Sequence, residues 1–219
     1  NYSGNSVYAS LDISSTDMTD SSGYESSKTG FSLGTGFEQY ENIFLSPGIS
    51  LAFEDIEAET TASSAIKKME GSYFNVNFDY AITVDKRNQP FQPTSGHRTK
   101  FQQSLPLVVD SSSIYNGFEY SGYHALTDDV IGSAKFLARS IHGIEDADVR
   151  LTNRLFIPQN RLRGFNTRKI GPKDGDDYIG GNYVSTLNFE ASLPNLLPES
   201  TRTDISVFTD FGNVWSVDY

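Results

Sequence analysis

Residues 73–85, YFNVNFDYAITVD, alternate strictly between two kinds of side chain. One set is Phe74, Val76, Phe78, Tyr80, Ile82 and Val84; the other is mostly Asn, Asp and Thr. Because successive side chains of a β-strand point to opposite faces, this period of two predicts a strand with one apolar and one polar face. An antiparallel sheet that divides an apolar environment from an aqueous one has this pattern.

The same period of two recurs in eight further segments. They are residues 6–13, 29–38, 43–54, 99–107, 117–126, 130–141, 183–193 and 203–214. The alternation is weaker in 99–107, where Pro106 is expected to mark the end of the strand. In 130–141 the cations Lys135 and Arg139 share a face with Leu137, so the pattern leaves the inward face open there. We predict about nine strands and no substantial helix, since the one helix-like stretch, 62–70, is short enough to be a loop.

The predicted connections alternate in length along the chain. The long or polar ones are 14–28, 57–70, 109–115 and 142–180, and between them lie 38–42, 86–97, 127–129 and 194–202, which are mostly shorter or proline-rich. Outer-membrane barrels keep long loops on one side and short turns on the other, whereas a soluble β-sandwich has no reason to do so. The fold predicted is therefore all-β, an antiparallel transmembrane β-barrel. Open sheet edges are costly in lipid, so nine strands would be part of a larger barrel.

The composition excludes several classes of protein. The 219 residues contain no cysteine, which excludes disulfides, thiolate metal sites and a cysteine nucleophile. Seventeen basic and 28 acidic residues give a net charge of −11, which argues against a nucleic-acid partner. No run of eighteen apolar residues predicts a transmembrane helix. The chain begins in polar sequence that leads into a strand, so we interpret it as an internal or mature fragment.

No motif predicts an enzyme, a metal site or a cofactor. The sequence contains no GxSxG, HExxH or phosphate-binding loop, and its three histidines lack ligand spacing. Residues 173–178, KDGDDY, lack the third ligand, glycine spacing and closing glutamate of an EF-hand. The cluster Glu54, Asp55, Glu57 and Glu59 is interpreted as a solvated strand end.

The connection 159–182, QNRLRGFNTRKIGPKDGDDYIGGN, is too long, polar and glycine-rich to be a strand or helix. Loops of this length in compact proteins are usually functional or disordered. Apolar anchors argue against disorder, and these are Phe165, Ile170, Tyr178 and Ile179. Arg163 stands beside the permissive Gly164 and can present five N–H donors in a planar fork to carboxylates. The predicted strands that follow each carry a carboxylate on the polar face, Glu190 and Asp210.

The order RLRGF, IGPKDGDDYIGGN, a strand with Glu190, and FTDFGNVW resembles the C-terminal barrel of the BamA family of outer-membrane protein assembly factors. The family motif is VRGF, and here Leu162 replaces the valine. Residues 85–98, DKRNQPFQPTSGHR, also resemble a periplasmic turn of the family. The resemblance implies that residues 1–219 are a partial barrel domain, with about nine strands of about sixteen. It also implies that loop 142–182 folds inward as the sixth extracellular loop.

The resemblance further implies the site residues. The loop motif is Arg163, Gly164 and Phe165, and its partners on the lumen wall are Glu190 and Asp210. Residues expected to support the loop are Gly171, Pro172, Asp177, Gly180, Gly181 and Asn182.

The function implied is insertion of β-barrel proteins into the outer membrane of a Gram-negative bacterium. In the family, a weak seam between the first and last strands opens and templates client strands. The implied partners are nascent outer-membrane proteins, membrane lipid, accessory lipoproteins and periplasmic domains of the same chain. A translocation-assembly factor and a two-partner secretion pore of the same superfamily are alternatives, as are a passive porin and a soluble β-sandwich binding module.

Overall fold

Nine strands of 11 to 17 residues form one antiparallel sheet in the computed structural model, which describes residues 5–19, 23–110, 113–144, 148–193, 197 and 205–216. The strands are β1 Ser6–Asp17, β2 Tyr24–Tyr40, β3 Ile43–Ala58, β4 Gly71–Asp85, β5 Gly96–Val109, β6 Ser113–Thr127, β7 Val130–Gly143, β10 Tyr183–Leu193 and β11 Ile205–Trp215. They pair in chain order, and β7 pairs with β10. The loop between those two strands contains a small hairpin, β8 Lys173–Asp174 and β9 Asp177–Tyr178. The prediction of nine strands is confirmed.

The structure corrects several predicted boundaries. Strand β5 continues past Pro106 to Val109, although the proline was expected to end it. Pro106 lies opposite Asn77, and the register shifts between Val76 and Asn77. A bulge of this kind relaxes the ladder beside the proline, which has no N–H to donate. Strand β7 reaches Gly143, so the long loop begins after residue 143 rather than at residue 142. The predicted strand residues 203 and 204 lie outside the described part.

The helix-like stretch 62–70 contains one turn of helix, α1 Ser64–Lys67, where a loop was expected. Two 3₁₀ turns, Leu151–Asn153 and Gln159–Arg161, lie in the loop between β7 and β10. No helix among the described residues has the length and apolarity that a membrane span requires.

The side chains of the sheet alternate between two faces. We call the face covered by the loop between β7 and β10 the inward face, and the other the outward face. On the inward face, hydroxyl and carboxylate side chains bond across strands, as Ser10 and Ser32 do at 2.6 Å between their Oγ atoms. On the outward face, Phe53 is 53% exposed and Phe211 is 58% exposed. A continuous exposed apolar face is unfavourable in water and favourable in lipid, so the outward face is the lipid-facing one.

The packing of β7 decides the face that its sequence leaves open. Leu137 and Ile141 are 1% and 4% exposed and lie beneath the loop, so their face is inward. Arg139 shares that face, and its Nη2 lies 3.2 Å from Oε1 of Glu119 on β6. The two cations of β7 therefore face the interior of the barrel.

The two faces predict different costs for the same substitution. Phe78 faces outward on β4 between Ile49 and Leu105, and Asn77 faces inward. Phe78→Arg is expected to lower the free energy of unfolding in a bilayer by about 2–4 kcal/mol, because a lipid-facing arginine near the midplane costs that much. Asn77→Arg is the matched control and should cost much less. Equal losses in chemical unfolding of the full-length protein in vesicles would contradict the face assignment.

Candidate functional site

The loop between β7 and β10 folds back on itself along the inward face. Leu155 and Gly181 exchange two backbone hydrogen bonds, with N···O distances of 2.8 and 3.0 Å, so the two limbs of the loop meet there. At its end Asn182 donates its N–H to the Ser216 carbonyl at 2.7 Å, and its own carbonyl accepts from Ile141 at 2.9 Å. These bonds continue the sheet pairing into the base of the loop and fix the position from which the rest departs.

Burial holds the loop against three strands. The buried residues of this contact, which we call the wall cluster, are Leu137, Ile141, Val149, Leu155, Ile157, Leu162, Val184 and Val214. Half of them belong to the loop and half to β7, β10 and β11. Removing apolar area from water stabilises by about 25 cal/mol per Å². The wall cluster therefore fixes the position of the loop on the inward face, and with it the positions of the polar side chains that the loop carries.

The Arg163 side chain lies between two carboxylates of the inward face. Its Nε and Nη2 donate to the two oxygens of Asp210, both at 2.8 Å, and its Nη1 donates to Oε2 of Glu190 at 2.8 Å. The backbone N–H of Arg163 also donates to Asp210 at 3.0 Å. A planar fork bonded to one carboxylate through two parallel N–H groups is among the strongest ion-pair geometries in proteins.

Asp210 is the centre of this site. Its side chain is 3% exposed, whereas that of Arg163 is 30% exposed. Besides the three bonds from Arg163, it accepts one from Nδ2 of Asn188 at 2.9 Å, and the same amide nitrogen donates to the Arg161 carbonyl at 2.7 Å. The nearly buried carboxylate is thus fully hydrogen-bonded, which offsets the cost of its desolvation.

An aromatic ring completes the contact with Arg163. The guanidinium carbon lies 3.5 Å from the centre of the Phe208 ring. A cation over an aromatic face is attracted by the ring quadrupole. The pKa of Arg163 is raised above its ordinary value, chiefly by its side-chain hydrogen bonds to Asp210 and further by its hydrogen bond to Glu190. Sequence reasoning missed Phe208; its inward position follows from the same alternation that places Asp210.

The two other residues of the predicted motif have different surroundings. Gly164 has φ +86°, a conformation that favours glycine, and no atom lies within 4 Å of a Cβ added there. The glycine is therefore required by the backbone turn after Arg163 rather than by space. Phe165 is 57% exposed. Its prediction as an apolar anchor is wrong, because more than half of the side chain is exposed and it is not among the buried residues of the wall cluster.

The residues predicted to support the loop lie in its second limb. A Cβ at Gly181 would stand 2.7 Å from the Trp215 carbonyl oxygen, and one at Gly171 would stand 2.8 Å from Cβ of Val214. The chain therefore passes β11 at a distance that only glycine permits. Gly180 has φ +71° and lies against the Phe156 ring. The remaining supports are Pro172, whose carbonyl accepts from Ile179, Asp177 in β9, and Asn182 at the base.

A second ion pair anchors the first limb of the loop to β3. Nη1 of Arg150 lies 3.3 Å from Oε2 of Glu54, and the two side chains are 4% and 5% exposed. The Thr152 hydroxyl donates to the same Glu54 oxygen at 3.1 Å, and the Arg150 guanidinium lies 4.5 Å from the Tyr73 ring centre. Burial lowers the pKa of Arg150, and the charge of Glu54 opposes that shift. The prediction of Glu54 as part of a solvated strand end is wrong.

A separate group of buried residues surrounds this pair. This rim cluster comprises Tyr24, Ile56, Ala62, Ile66, Met69, Leu151 and Ile179. It joins α1 and the ends of β2 and β3 to both limbs of the loop. The Leu151 N–H donates to Sδ of Met69 at 2.9 Å, and Nη2 of Arg168 donates to the Tyr24 hydroxyl at 3.3 Å. Residues up to 144 positions apart in sequence thus meet, so local sequence patterns carry no signal for them.

A lipid-facing antiparallel sheet, with long and short connections on opposite sides and a long loop bound to its inward wall, defines part of a transmembrane β-barrel. The chain belongs to the Omp85 superfamily, because residues 1–219 match the Omp85 superfamily domain.

Known proteins support the family and the fold separately. The chain is 31% identical over 169 residues to the human sorting and assembly machinery component 50 homolog, an alignment that covers 73% of this chain and 36% of that protein. The mouse homolog is 29% identical over the same length. The chain thus spans about a third of these relatives. The crystal structure of BamA from Haemophilus ducreyi lacking POTRA domains 1-3 matches 98% of this chain and 47% of its own, with a TM-score of 0.85 and 18% identity.

Removing the Arg163 fork is expected to release the loop. Arg163→Ala leaves Asp210 and Glu190 without their shared cation. For a fully buried pair the loss is about 3–5 kcal/mol, and the partial exposure of Arg163 should reduce it. Amide hydrogen exchange of residues 159–170 should accelerate, and Arg163→Lys should restore protection only in part, since an ammonium cannot form the fork. Lys169→Ala removes an exposed cation of the same loop and is the control. If residues 159–170 exchange no faster in Arg163→Ala than in Lys169→Ala, the assignment of Arg163 as the residue that holds the loop is contradicted.

The Arg150–Glu54 pair predicts a different pattern of stability. Glu54→Leu leaves a buried arginine without a partner and should cost about 3–5 kcal/mol in the free energy of unfolding. The double variant Glu54→Leu with Arg150→Met should recover much of that loss, because a buried pair replaced by apolar groups is often neutral. Glu57→Leu, at an exposed site, is the control. The free energy of unfolding in vesicles is measured for the wild type and the three variants. If Glu54→Leu leaves that free energy unchanged, the Arg150–Glu54 pair does not anchor the loop.

Proposed function

We propose that this chain is the barrel part of an assembly factor that folds β-barrel proteins and inserts them into an outer membrane. The carrying observation is the loop of an Omp85 barrel, bound to the inward wall through Arg163, Glu190 and Asp210. The names of the human and mouse relatives refer to a sorting and assembly machinery. The clients are nascent outer-membrane proteins. No covalent step is needed, and the expectation that the protein is not an enzyme stays a prediction.

The inward face favours an assembly factor over a passive porin. The interior of a porin is polar and filled with water. Here eight buried apolar residues of the wall cluster join the loop to the inward face. A loop seated in this way occupies space that a diffusion channel needs.

The proposed mechanism assigns this chain the rigid side of the barrel. Unpaired strand edges act as pairing templates, so an opened seam in lipid can receive the strands of a client. The loop ties β3 to β10 and β11 through its two ion pairs. Because the loop holds these strands together, opening of the seam should separate the seam strands without deforming the rest of the barrel wall. Membrane lipid, accessory subunits and periplasmic domains of the full-length protein are the further partners of this proposal.

The location follows the branch of the superfamily. The motif predicts a Gram-negative outer membrane, and that prediction stays open to test. The identity to eukaryotic sorting and assembly proteins favours the mitochondrial outer membrane as the second candidate. Fractionation of the source cells, followed by detection of the full-length protein, distinguishes the two. A translocation-assembly factor or a secretion pore would instead differ in the number of periplasmic domains that precede the barrel.

Assembly activity is the direct test of this function. Full-length protein in lipid vesicles should accelerate the folding of an unfolded β-barrel client. The folded client is detected by its heat-resistant migration on a gel. Arg163→Ala should lower the rate by about tenfold or more if the released loop costs 1.4 kcal/mol or more at the rate-limiting step. Lys169→Ala should retain the wild-type rate. Wild-type protein that leaves client folding unchanged, yet gives vesicles a steady open-channel conductance, would favour the porin instead.

A further inference from the structure

A row of polar side chains crosses the lipid-facing surface of the sheet. Tyr80, Gln103, Asn116, Ser140 and Tyr183 lie directly opposite one another on β4, β5, β6, β7 and β10. Most outward positions above and below this row are apolar. Polar side chains in contact with lipid are costly, so such a row calls for a functional reason.

The row is hydrogen-bonded in one direction. The Tyr80 hydroxyl donates to Oε1 of Gln103 at 2.8 Å, Nε2 of Gln103 donates to Oδ1 of Asn116, and Nδ2 of Asn116 donates to Oγ of Ser140 at 3.4 Å. An amide group carries two N–H donors and a hydroxyl carries one. Within the described part of the chain, the second N–H of Asn116 and the proton of Ser140 have no protein acceptor. The row therefore ends in donors that face the bilayer.

A groove of about 420 Å³ lies where these donors end. Its floor is made of the small side chains Ala138, Ser140 and Ser185. On one side stand the Phe101 and Phe118 rings, and on the other stand Tyr183 and Trp215, whose rings stack with centres 6.1 Å apart. The surface thus combines an apolar channel with a polar end.

The polar end lies at the depth of the membrane interface on the long-loop side. Ser140 is three residues from the end of β7, Tyr183 is the first residue of β10 and Trp215 is the last of β11. Tyr and Trp gather at the boundary between headgroups and acyl chains. Phe118 and Ala138 are each two residues further into the wall, where acyl chains lie.

We propose that this groove binds one diacyl glycerophospholipid, with an acyl chain along Phe101, Phe118 and Ala138. Its ester or phosphate oxygens accept hydrogen bonds from Asn116 and Ser140. The groove offers spare donors, and the ester and phosphate groups of a phospholipid supply acceptors at that depth. A transmembrane helix fits less well, because its backbone carbonyls are already bonded within the helix.

Trp215 provides a built-in probe of occupancy, since it is the one tryptophan of the 219 residues. Full-length protein, with any tryptophan outside this chain replaced by phenylalanine, is titrated in detergent micelles with phosphatidylcholine brominated on an acyl chain. A bound lipid places bromine beside Trp215, so its fluorescence should fall and then saturate. A decrease that follows the bulk lipid fraction without saturation would overturn the proposal.

Matched variants locate the binding. Ala138→Phe fills the groove without touching the polar row, and Asn116→Leu removes a donor. Each should require about tenfold more lipid for half-maximal quenching, the effect of losing one good contact. Ala134→Phe, four residues away on the same face of β7, should bind as the wild type does. Equal affinity in Ala138→Phe and Ala134→Phe would refute the site.

A photo-crosslinking residue at Ala138 tests the occupant in native membranes. A lipid adduct of the full-length protein is the expected product. A protein adduct would overturn the lipid assignment in favour of a partner helix. Heat-resistant gel migration checks that every variant is folded, and Ala138→Phe and Asn116→Leu test the groove independently should one of them fail to fold.

Discussion

The bidentate contact between Arg163 and Asp210 is the interaction on which the arrangement of the loop depends. One nearly buried carboxylate accepts three hydrogen bonds from Arg163 and a fourth from Asn188. Because these donors come from the loop and from β10, while Asp210 belongs to β11, a single group joins three parts of the chain. A planar fork fixes direction as well as distance. The backbone turn at Gly164 and the burial of Leu162 in the wall cluster flank Arg163 and hold its side chain in this orientation toward Asp210.

The two ion pairs that hold the loop differ in burial and in the number of carboxylates that compensate each arginine. Arg163 is partly exposed and has two carboxylates, so its charge is well compensated and its pKa is raised. Arg150 is buried with one carboxylate, and burial lowers its pKa. A partly hydrated pair tolerates rearrangement, whereas a buried pair resists separation because each charge would be left without solvent. The Arg163 pair is thus the more accessible of the two to solvent, whereas the Arg150 pair fixes the first limb of the loop to β3 from within a buried contact.

The sequence predicted those features that depend on local spacing. A period of two identified nine strands and placed Glu190 and Asp210 on one face, and the motif around Arg163 identified the residue that binds them. Features set by tertiary packing were missed. Glu54 resembles a solvated strand end because its partner Arg150 lies 96 residues away. The sequence around Pro106 predicts a strand end, because the bulge that accommodates the proline depends on the neighbouring strand. The inward face of β7 is defined by Leu137, which packs beneath the loop, and this tertiary contact has no counterpart in the strand pattern.

The most direct test of this account is a double-mutant cycle between Arg163 and Asp210, measured as the free energy of unfolding of the full-length protein in lipid vesicles. The cycle uses Arg163→Ala, Asp210→Ala and the double variant, and compares their losses with a parallel cycle for Arg163 and Glu190. Residues that share hydrogen bonds show coupling energies of about 0.5–3 kcal/mol. The account predicts coupling in the upper half of that range for Arg163 with Asp210, and a smaller value with Glu190. Additive losses for Arg163 and Asp210 would show that the loop is held by burial alone and would contradict the central role of the fork.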